Sequence, residues 1–136
     1  MSSPLQPRWV GAASIAIGAT RVWRGLLLLL IVAVITLALL PRPPAEIDFG
    51  WDKLNHVLAF AALAFSAGLG FPAPRAWRVA APLALLAFGG LIEVLQMSVP
   101  QRSGEWGDLL ADGLGIACGG LLASAALRAG AALSKP

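Results

Sequence analysis

Two short stretches of this sequence hold all of its acidic residues and its only histidine. The first stretch contains Glu46, Asp48, Asp52 and His56, and the second contains Glu93, Glu105, Asp108 and Asp112. Carboxylate oxygens and imidazole nitrogens are ligands that Mg²⁺, Mn²⁺ or Zn²⁺ accept in proteins. The two stretches therefore supply the material for one polar site, and its chemistry depends on the elements that bring them together.

Basic and amide side chains in the same stretches indicate a site that binds an anion. Lys53 lies in the first stretch and Arg102 in the second. The planar guanidinium of arginine matches a phosphate group, and lysine adds a compact positive charge. We expect both cations to contact an anionic lipid headgroup, such as that of a phospholipid or a lipid-linked polyprenyl phosphate. Gln96 and His56 would donate further hydrogen bonds, and the carboxylates would orient the cations.

A metal-assisted hydrolase or transferase, acting on a lipid-linked phosphate, is the alternative function. A bound divalent ion polarises a phosphoryl oxygen or activates water. The spacing matches no standard metal motif, so catalysis is the weaker hypothesis. A structural network, or an accessory subunit of a membrane complex, is the third. The candidate ligands of a divalent metal cofactor are Asp52, His56, Glu93, Asp108 and Asp112.

Helical spacing places these side chains near the ends of helices. Asp52 is positioned to cap a helix, and His56 lies one turn later on the same face. Glu93 and Gln96 are also one turn apart. Glu93 stands six residues before Val99, about 9 Å along a helix. An ionisable group at that depth of a membrane faces a partner or a wet cavity.

Asp108 and Asp112 are four residues apart, and their helical face continues through Gly115 and Gly119. A GxxxG spacing lets a neighbouring helix pack closely beside Asp112. Each feature also has a simpler explanation: the aspartates as helix caps, the histidine as a neutral packing group, and the glycines as packing alone. Their coincidence at one depth favours a shared polar pocket.

The elements that position these residues are membrane-spanning helices. Of the 136 residues, 58% are hydrophobic and only 12% are charged, too few charges to cover a soluble domain of this size. A helix crosses the hydrocarbon core in about 20 residues. The apolar runs of suitable length are Gly25–Leu40, Val57–Phe71, Val79–Val99 and Leu109–Leu127. We predict an all-α, polytopic membrane protein, a bundle of four transmembrane helices.

The distribution of Lys and Arg predicts the orientation of these helices. Seven of the ten basic residues fall in the N-terminal segment, the second connector and the C-terminus. The positive-inside rule then places both termini in the cytoplasm, with the chain in the inner membrane. The acidic stretches lie on the other side, so the polar site is predicted to face outward or to the periplasm. We expect the cytoplasmic arginines to meet anionic lipid headgroups rather than nucleic acid.

The apolar runs also set the predicted boundaries. Residues 1–21 are expected to be a cytoplasmic or interfacial segment, because the apolar stretch Trp9–Thr20 is too short to span. Residues 22–129 form the membrane domain and 130–136 a tail. The first run lacks a small-x-small cleavage site, which favours a retained helix over a signal peptide. The single Cys118 excludes an internal disulfide. Small-residue helix faces leave room for a homo-oligomer or a partner membrane protein.

The ordered polar motifs resemble the VanZ-like family of small integral membrane proteins. They read Asp52-Lys-x-x-His56, Glu93-x-x-Gln96, Pro100-x-Arg102, Asp108 and Gly115. The resemblance runs from the first predicted helix to the fourth, and it implies a membrane protein with a polar site on the outer side.

Two residues depart from the pattern of that family. Glu105 stands where the family usually has Asp, and it keeps the charge. Asp112 stands where the family usually has Asn, and it adds a carboxylate near Asp108. The best-known member is associated with resistance to the glycopeptide antibiotic teicoplanin, but no resistance-specific feature is visible in this chain.

Overall fold

Four long helices make up most of the computed structural model, which describes residues 19–41, 52–72, 77–102 and 104–133. They are α1 (Thr20–Leu39), α2 (Asp52–Gly70), α3 (Trp77–Gln96) and α4 (Trp106–Leu133). No strand occurs within these described ranges. All four helices are long and apolar enough to cross a membrane. The predicted all-α architecture with four candidate spans is thereby confirmed, while the cytoplasmic placement of the termini stays a prediction.

Several predictions fall outside the described residues. They concern the short apolar segment as far as residue 18, the connector acids Glu46 and Asp48, and the end of the tail from residue 134.

The helix ends differ from the ends of the apolar runs, because α4 continues through the polar residues Asp108 and Arg128, whereas proline ends α3 early. α4 begins at Trp106 and continues six residues past Leu127, the end of its run. α3 ends at Gln96, three residues before the end of its run at Val99. Pro100 disfavours helical backbone in the residue before it, which accounts for the early end. The following turn uses a left-handed residue, Gln101, with a φ of 67°.

α2 is the central helix, and it packs most extensively against α4 and next against α1. The α2–α4 contact is close enough to exclude side chains. A Cβ on Gly115 would meet the carbonyl oxygen of Val57, and one on Gly119 would meet that of Ala61. The two glycines therefore bring the backbones of α2 and α4 into direct contact, as small residues do between membrane helices.

The interior of the bundle around this contact is apolar. The buried core consists of Phe60, Leu63, Ala64, Leu85 and Ile116. Large apolar side chains also cover the outside, where Leu28, Leu110 and Leu121 are exposed. Exposed leucines on every side suit a bundle whose surroundings are lipid rather than water.

An arginine secures the end of the bundle at which α1 begins and α2 ends. Arg24 donates from Nε to the carbonyl oxygen of Gly70 at 2.8 Å. Its guanidinium also lies over the ring of Phe71, 4.6 Å from the centroid. The last carbonyls of a helix have no partner within the helix, so this bond stabilises the end of α2.

We predict that Gly119→Ala lowers the melting temperature of the protein in detergent. The new methyl group would collide with the α2 backbone, and overpacking of this kind costs about 1–3 kcal/mol. Gly120→Ala is the matched control, because a Cβ there meets nothing within 4 Å. We expect Gly120→Ala to raise the free energy of unfolding by about 0.5–1 kcal/mol, since alanine is the better helix former. Thermal unfolding followed by circular dichroism measures both, and equal melting temperatures would contradict the close α2–α4 contact.

Candidate functional site

Seven polar side chains from the two acidic stretches converge at one end of the bundle. Because successive helices alternate in direction, α2 and α4 begin at this end and α1 and α3 finish there. We call the group the polar cluster, and its members are Asp52, Lys53, His56, Glu93, Glu105, Asp108 and Asp112. The sequence separates these residues by up to sixty positions, and the helix packing brings them together.

The innermost contact of the polar cluster joins α2 to α4. His56 Nδ1 lies 2.8 Å from Asp112 Oδ1. With Asp112 ionised, its carboxylate only accepts hydrogen bonds, and the imidazole then donates from Nδ1. The side chain of Asp112 is 0% exposed and that of His56 is 13% exposed. The glycine contact between the two helices, one turn further along α4, makes so short a bond geometrically possible.

The other imidazole nitrogen faces two further carboxylates. His56 Nε2 lies 3.9 Å from Glu93 Oε1 and 3.9 Å from Asp108 Oδ2. Both separations exceed hydrogen-bond distance. The ring is therefore fixed at Nδ1 by Asp112, while Nε2 points into a space between acidic groups from α3 and α4.

Glu93 anchors the segment that leads into α4. Its Oε2 accepts a hydrogen bond from the backbone N–H of Glu105 at 2.7 Å. Its Oε1 is buried and has no hydrogen-bond partner among the described residues, and the same is true of Asp112 Oδ2. A buried polar atom without a partner is costly, so these two oxygens mark the part of the cluster that is incomplete.

Lys53 connects a buried carboxylate of the polar cluster, that of Asp108, to an exposed one, that of Glu105. Its Nζ lies 3.3 Å from Asp108 Oδ1 and 3.3 Å from Glu105 Oε2. The side chain of Asp108 is only 2% exposed, whereas those of Lys53 and Glu105 are 48% and 57% exposed. The cluster holds five carboxylates against one ammonium and one imidazole, so acidic charge is in excess.

Asp52 completes the acidic side of the cluster at the first turn of α2. One ligand atom from each of Asp52, His56 and Asp108 lies within 4.8 Å of the others. Carboxylate oxygens and an imidazole nitrogen are donors that divalent cations accept in proteins.

Gln96 and Arg102, also predicted to contact a ligand, hold the end of α1 instead. Arg102 donates to the carbonyl oxygens of Leu37 at 2.9 Å and Leu40 at 3.2 Å. Gln96 donates to the carbonyl oxygen of Ala38 at 3.3 Å. A positive side chain at a helix C-terminus is favoured by the helix dipole. In this structure both side chains fasten α1 to the site, and their contact with a ligand stays a prediction.

One residue of the site was not identified from the sequence. Gly89 of α3 leaves room for Asp112, because a Cβ there would collide with Asp112 Oδ2 and lie 3.2 Å from the ring of Phe60. The signal was available as the pair Gly89-Gly90 within an apolar helix. Glycine inside a membrane helix indicates that another group approaches the backbone closely.

The fold and the site define a polytopic membrane protein with a buried, charged cluster at one end of its helices. The family model described as VanZ/LLP1 matches residues 19–128, a range that includes every residue of the polar cluster. The chain belongs to the VanZ/LLP1 family, and the resemblance seen in its motifs is confirmed. No curated protein and no solved structure matches the chain.

We predict that Glu93→Ala lowers the melting temperature more than Glu93→Gln. Glutamine keeps a carbonyl oxygen that accepts from the N–H of Glu105, whereas alanine leaves that donor unpaired, at a cost of about 1–3 kcal/mol. Thermal unfolding of both purified variants in the same detergent gives the order. A lower melting temperature for Glu93→Gln than for Glu93→Ala would show that Glu93 does not act through this hydrogen bond.

Proposed function

We propose that this protein binds the phosphate-bearing headgroup of an anionic lipid, or of a lipid-linked envelope component, at the polar cluster. The observation that carries the proposal is the position of Lys53. Its half-exposed ammonium stands at the mouth of a cluster whose floor is buried among membrane-spanning helices. Charged groups at that depth are costly and mark substrate or ion sites in membrane proteins.

The hydrogen-bonding capacity of Lys53 supports the proposal. An ammonium group has three donors. Among the described residues, two of them are directed to Asp108 and Glu105, at distances of 3.3 Å that are long for charged pairs. A third donor is left for a phosphate oxygen at the exposed rim.

The helix ends add positive potential to the same region. α2 begins at Asp52 and α4 begins at Trp106, so two helix N-termini lie at the mouth of the cluster. The dipoles of these two helices favour an anion at that end. Trp106 is exposed beside them, as expected of an aromatic side chain at headgroup level. These features favour a ligand that is held in the membrane over a soluble one.

The outer side of the cytoplasmic membrane is the proposed location of this site. The excess of Lys and Arg in the N-terminal segment, the second connector and the C-terminus supports that orientation. The ligand would then belong to the outer leaflet or to the cell envelope.

Hydrolysis or transfer of the bound phosphate is a second candidate function, favoured by the His56–Asp112 pair. A carboxylate that fixes Nδ1 of an imidazole leaves Nε2 free to accept a proton from an attacking water or alcohol. His56 Nε2 faces the centre of the cluster, where such a nucleophile would meet the phosphate.

We predict that Lys53→Gln weakens the retention of anionic lipid. The purified protein would be incubated with equal amounts of a polyprenyl phosphate, phosphatidylglycerol and phosphatidylcholine, each added with chelator and without it, and examined by native mass spectrometry. We expect the wild type to retain one of the two phosphate-bearing anionic lipids over phosphatidylcholine. We expect Lys53→Gln to lower that retention about tenfold, the value of one charged hydrogen bond of about 1.4 kcal/mol.

Arg128→Gln is the matched control, because Arg128 is an exposed cation near the far end of α4. Equal losses from Lys53→Gln and Arg128→Gln would indicate general attraction of lipid to positive charge and would contradict the proposed site. A wild type that retains no anionic lipid over phosphatidylcholine would also contradict it. A retained lipid that has lost its phosphate would favour the catalytic function.

A further inference from the structure

We infer that the polar cluster binds one divalent cation, held by His56, Glu93, Asp108 and Asp52. The inference deepens the proposed function and rests on it for the role of the ion. The cluster holds five carboxylates, so a bound cation would add positive charge to that of Lys53 and strengthen the attraction for a phosphate.

The distances at the centre of the cluster suit one ion. Metal–ligand bonds to imidazole nitrogen and carboxylate oxygen are about 2.1 Å long, so two ligands of one ion lie at most about 4.2 Å apart. His56 Nε2 lies 3.9 Å from Glu93 Oε1 and 3.9 Å from Asp108 Oδ2. An ion beside His56 Nε2 is within reach of either oxygen, and Asp52, His56 and Asp108 offer three ligand atoms within 4.8 Å of one another. Glu93 Oε1 would join them by moving toward the oxygen of Asp108.

Asp52 supplies a fourth ligand from the rim. Its ligand atom lies within 4.8 Å of those of His56 and Asp108. Its side chain is exposed on the first residue of α2, and a rotation of that side chain would bring it over the ion.

The unpaired oxygen of Glu93 is an independent indication of an ion. The side chain of Glu93 is 1% exposed, and its Oε1 has no hydrogen-bond partner among the described residues. That oxygen is directed at His56 Nε2 without reaching hydrogen-bond distance. A cation between the two atoms would satisfy both, and no side chain in the described ranges does so.

The surrounding hydrogen bonds orient the proposed ligands. Asp112 accepts from His56 Nδ1, which leaves Nε2 with its lone pair toward the ion. Lys53 occupies Asp108 Oδ1 and leaves Oδ2 to the ion. The N–H of Glu105 occupies Glu93 Oε2 and leaves Oε1. Such outer contacts commonly fix metal-binding histidines and carboxylates in a productive geometry.

The donor atoms indicate the class of ion. One imidazole nitrogen and several carboxylate oxygens suit Mn²⁺ or Zn²⁺, whereas the absence of thiolate from this set disfavours soft ions such as Cu⁺. The single thiol of the chain, Cys118, is exposed on α4 more than one turn beyond Asp112 and takes no part.

Titration of the full-length protein with MnCl₂ tests the inference. The protein would be purified in detergent, freed of metal with chelator and exchanged into a detergent buffer without lipid or chelator. The amount of bound Mn²⁺ would be measured by electron paramagnetic resonance. We expect one Mn²⁺ per chain in the wild type. We expect Asp108→Asn to weaken binding by about 100-fold and Asp112→Asn, which changes only the outer contact, by about 10-fold.

Glu105→Gln is the matched control, because it removes an exposed carboxylate of the same cluster that is not a proposed ligand. It should change the affinity for Mn²⁺ by less than about threefold, the effect of a surface charge of under about 1 kcal/mol. Equal weakening by Glu105→Gln and Asp108→Asn would show a diffuse attraction to acidic charge and would overturn the inference. So would a wild type that binds neither Mn²⁺ nor, in competition, Zn²⁺.

A melting curve for each variant shows whether it is folded. Mn²⁺ should raise the melting temperature of the wild type and of Glu105→Gln, since a ligand of the native state stabilises it. It should leave that of a folded Asp108→Asn unchanged, and an equal rise in Asp108→Asn would overturn the proposed ligands. The Mn²⁺ titration contains no lipid, so it tests the cation site independently of lipid binding. If the protein binds Mn²⁺ but retains no anionic lipid in the mass-spectrometry experiment, only the proposed function is refuted. Lipid retention that is indifferent to chelator, with no Mn²⁺ bound, would refute only this inference.

Discussion

The hydrogen bond between His56 and Asp112 is the interaction on which the rest of the structure depends. It joins α2 to α4 within helices that are apolar enough to cross a membrane, where an ionisable group without a partner is costly. The bond is 2.8 Å long because Gly115 and Gly119 let the two backbones touch. The close helix packing and the hydrogen bond therefore stabilise each other. If the helices separated, His56 and Asp112 would both lose their hydrogen-bond partner, in addition to the packing contacts that would be lost.

The other helices are arranged around this pair. α3 makes room for Asp112 at Gly89 and contributes Glu93, which fixes the start of α4 through the N–H of Glu105. α1 has no residue in the polar cluster, yet Arg102 and Gln96 bind its last carbonyl groups and hold it beside the site. A chain with few charges thus uses many of them at one end of the bundle, in contacts that leave Glu93 Oε1 and Asp108 Oδ2 facing His56 Nε2. The proposed ligands, a cation and the phosphate of a lipid, follow from that orientation.

The sequence predicted local features well, because these depend on periodicity and composition. The four apolar runs predicted the four helices, and the ordered motifs predicted the family, which the match over residues 19–128 confirms. The spacing also placed His56 one turn after Asp52. Contacts between helices were harder to predict from the sequence, since they depend on helix order and tilt. The partners of Arg102 are backbone carbonyl groups, which carry no side-chain signal, and the role of Gly89 requires knowing that Asp112 lies opposite.

A double-mutant cycle on His56 and Asp112 tests the central claim most directly. The free energy of reversible unfolding in mixed micelles would be measured for the wild type, His56→Ala, Asp112→Ala and the double variant. We predict a coupling free energy of about 1–2 kcal/mol, at the upper end of the range for hydrogen bonds between membrane helices, because the pair is short and buried. Single effects that add to within about 0.5 kcal/mol would contradict the account, since they would show that the two side chains are energetically independent.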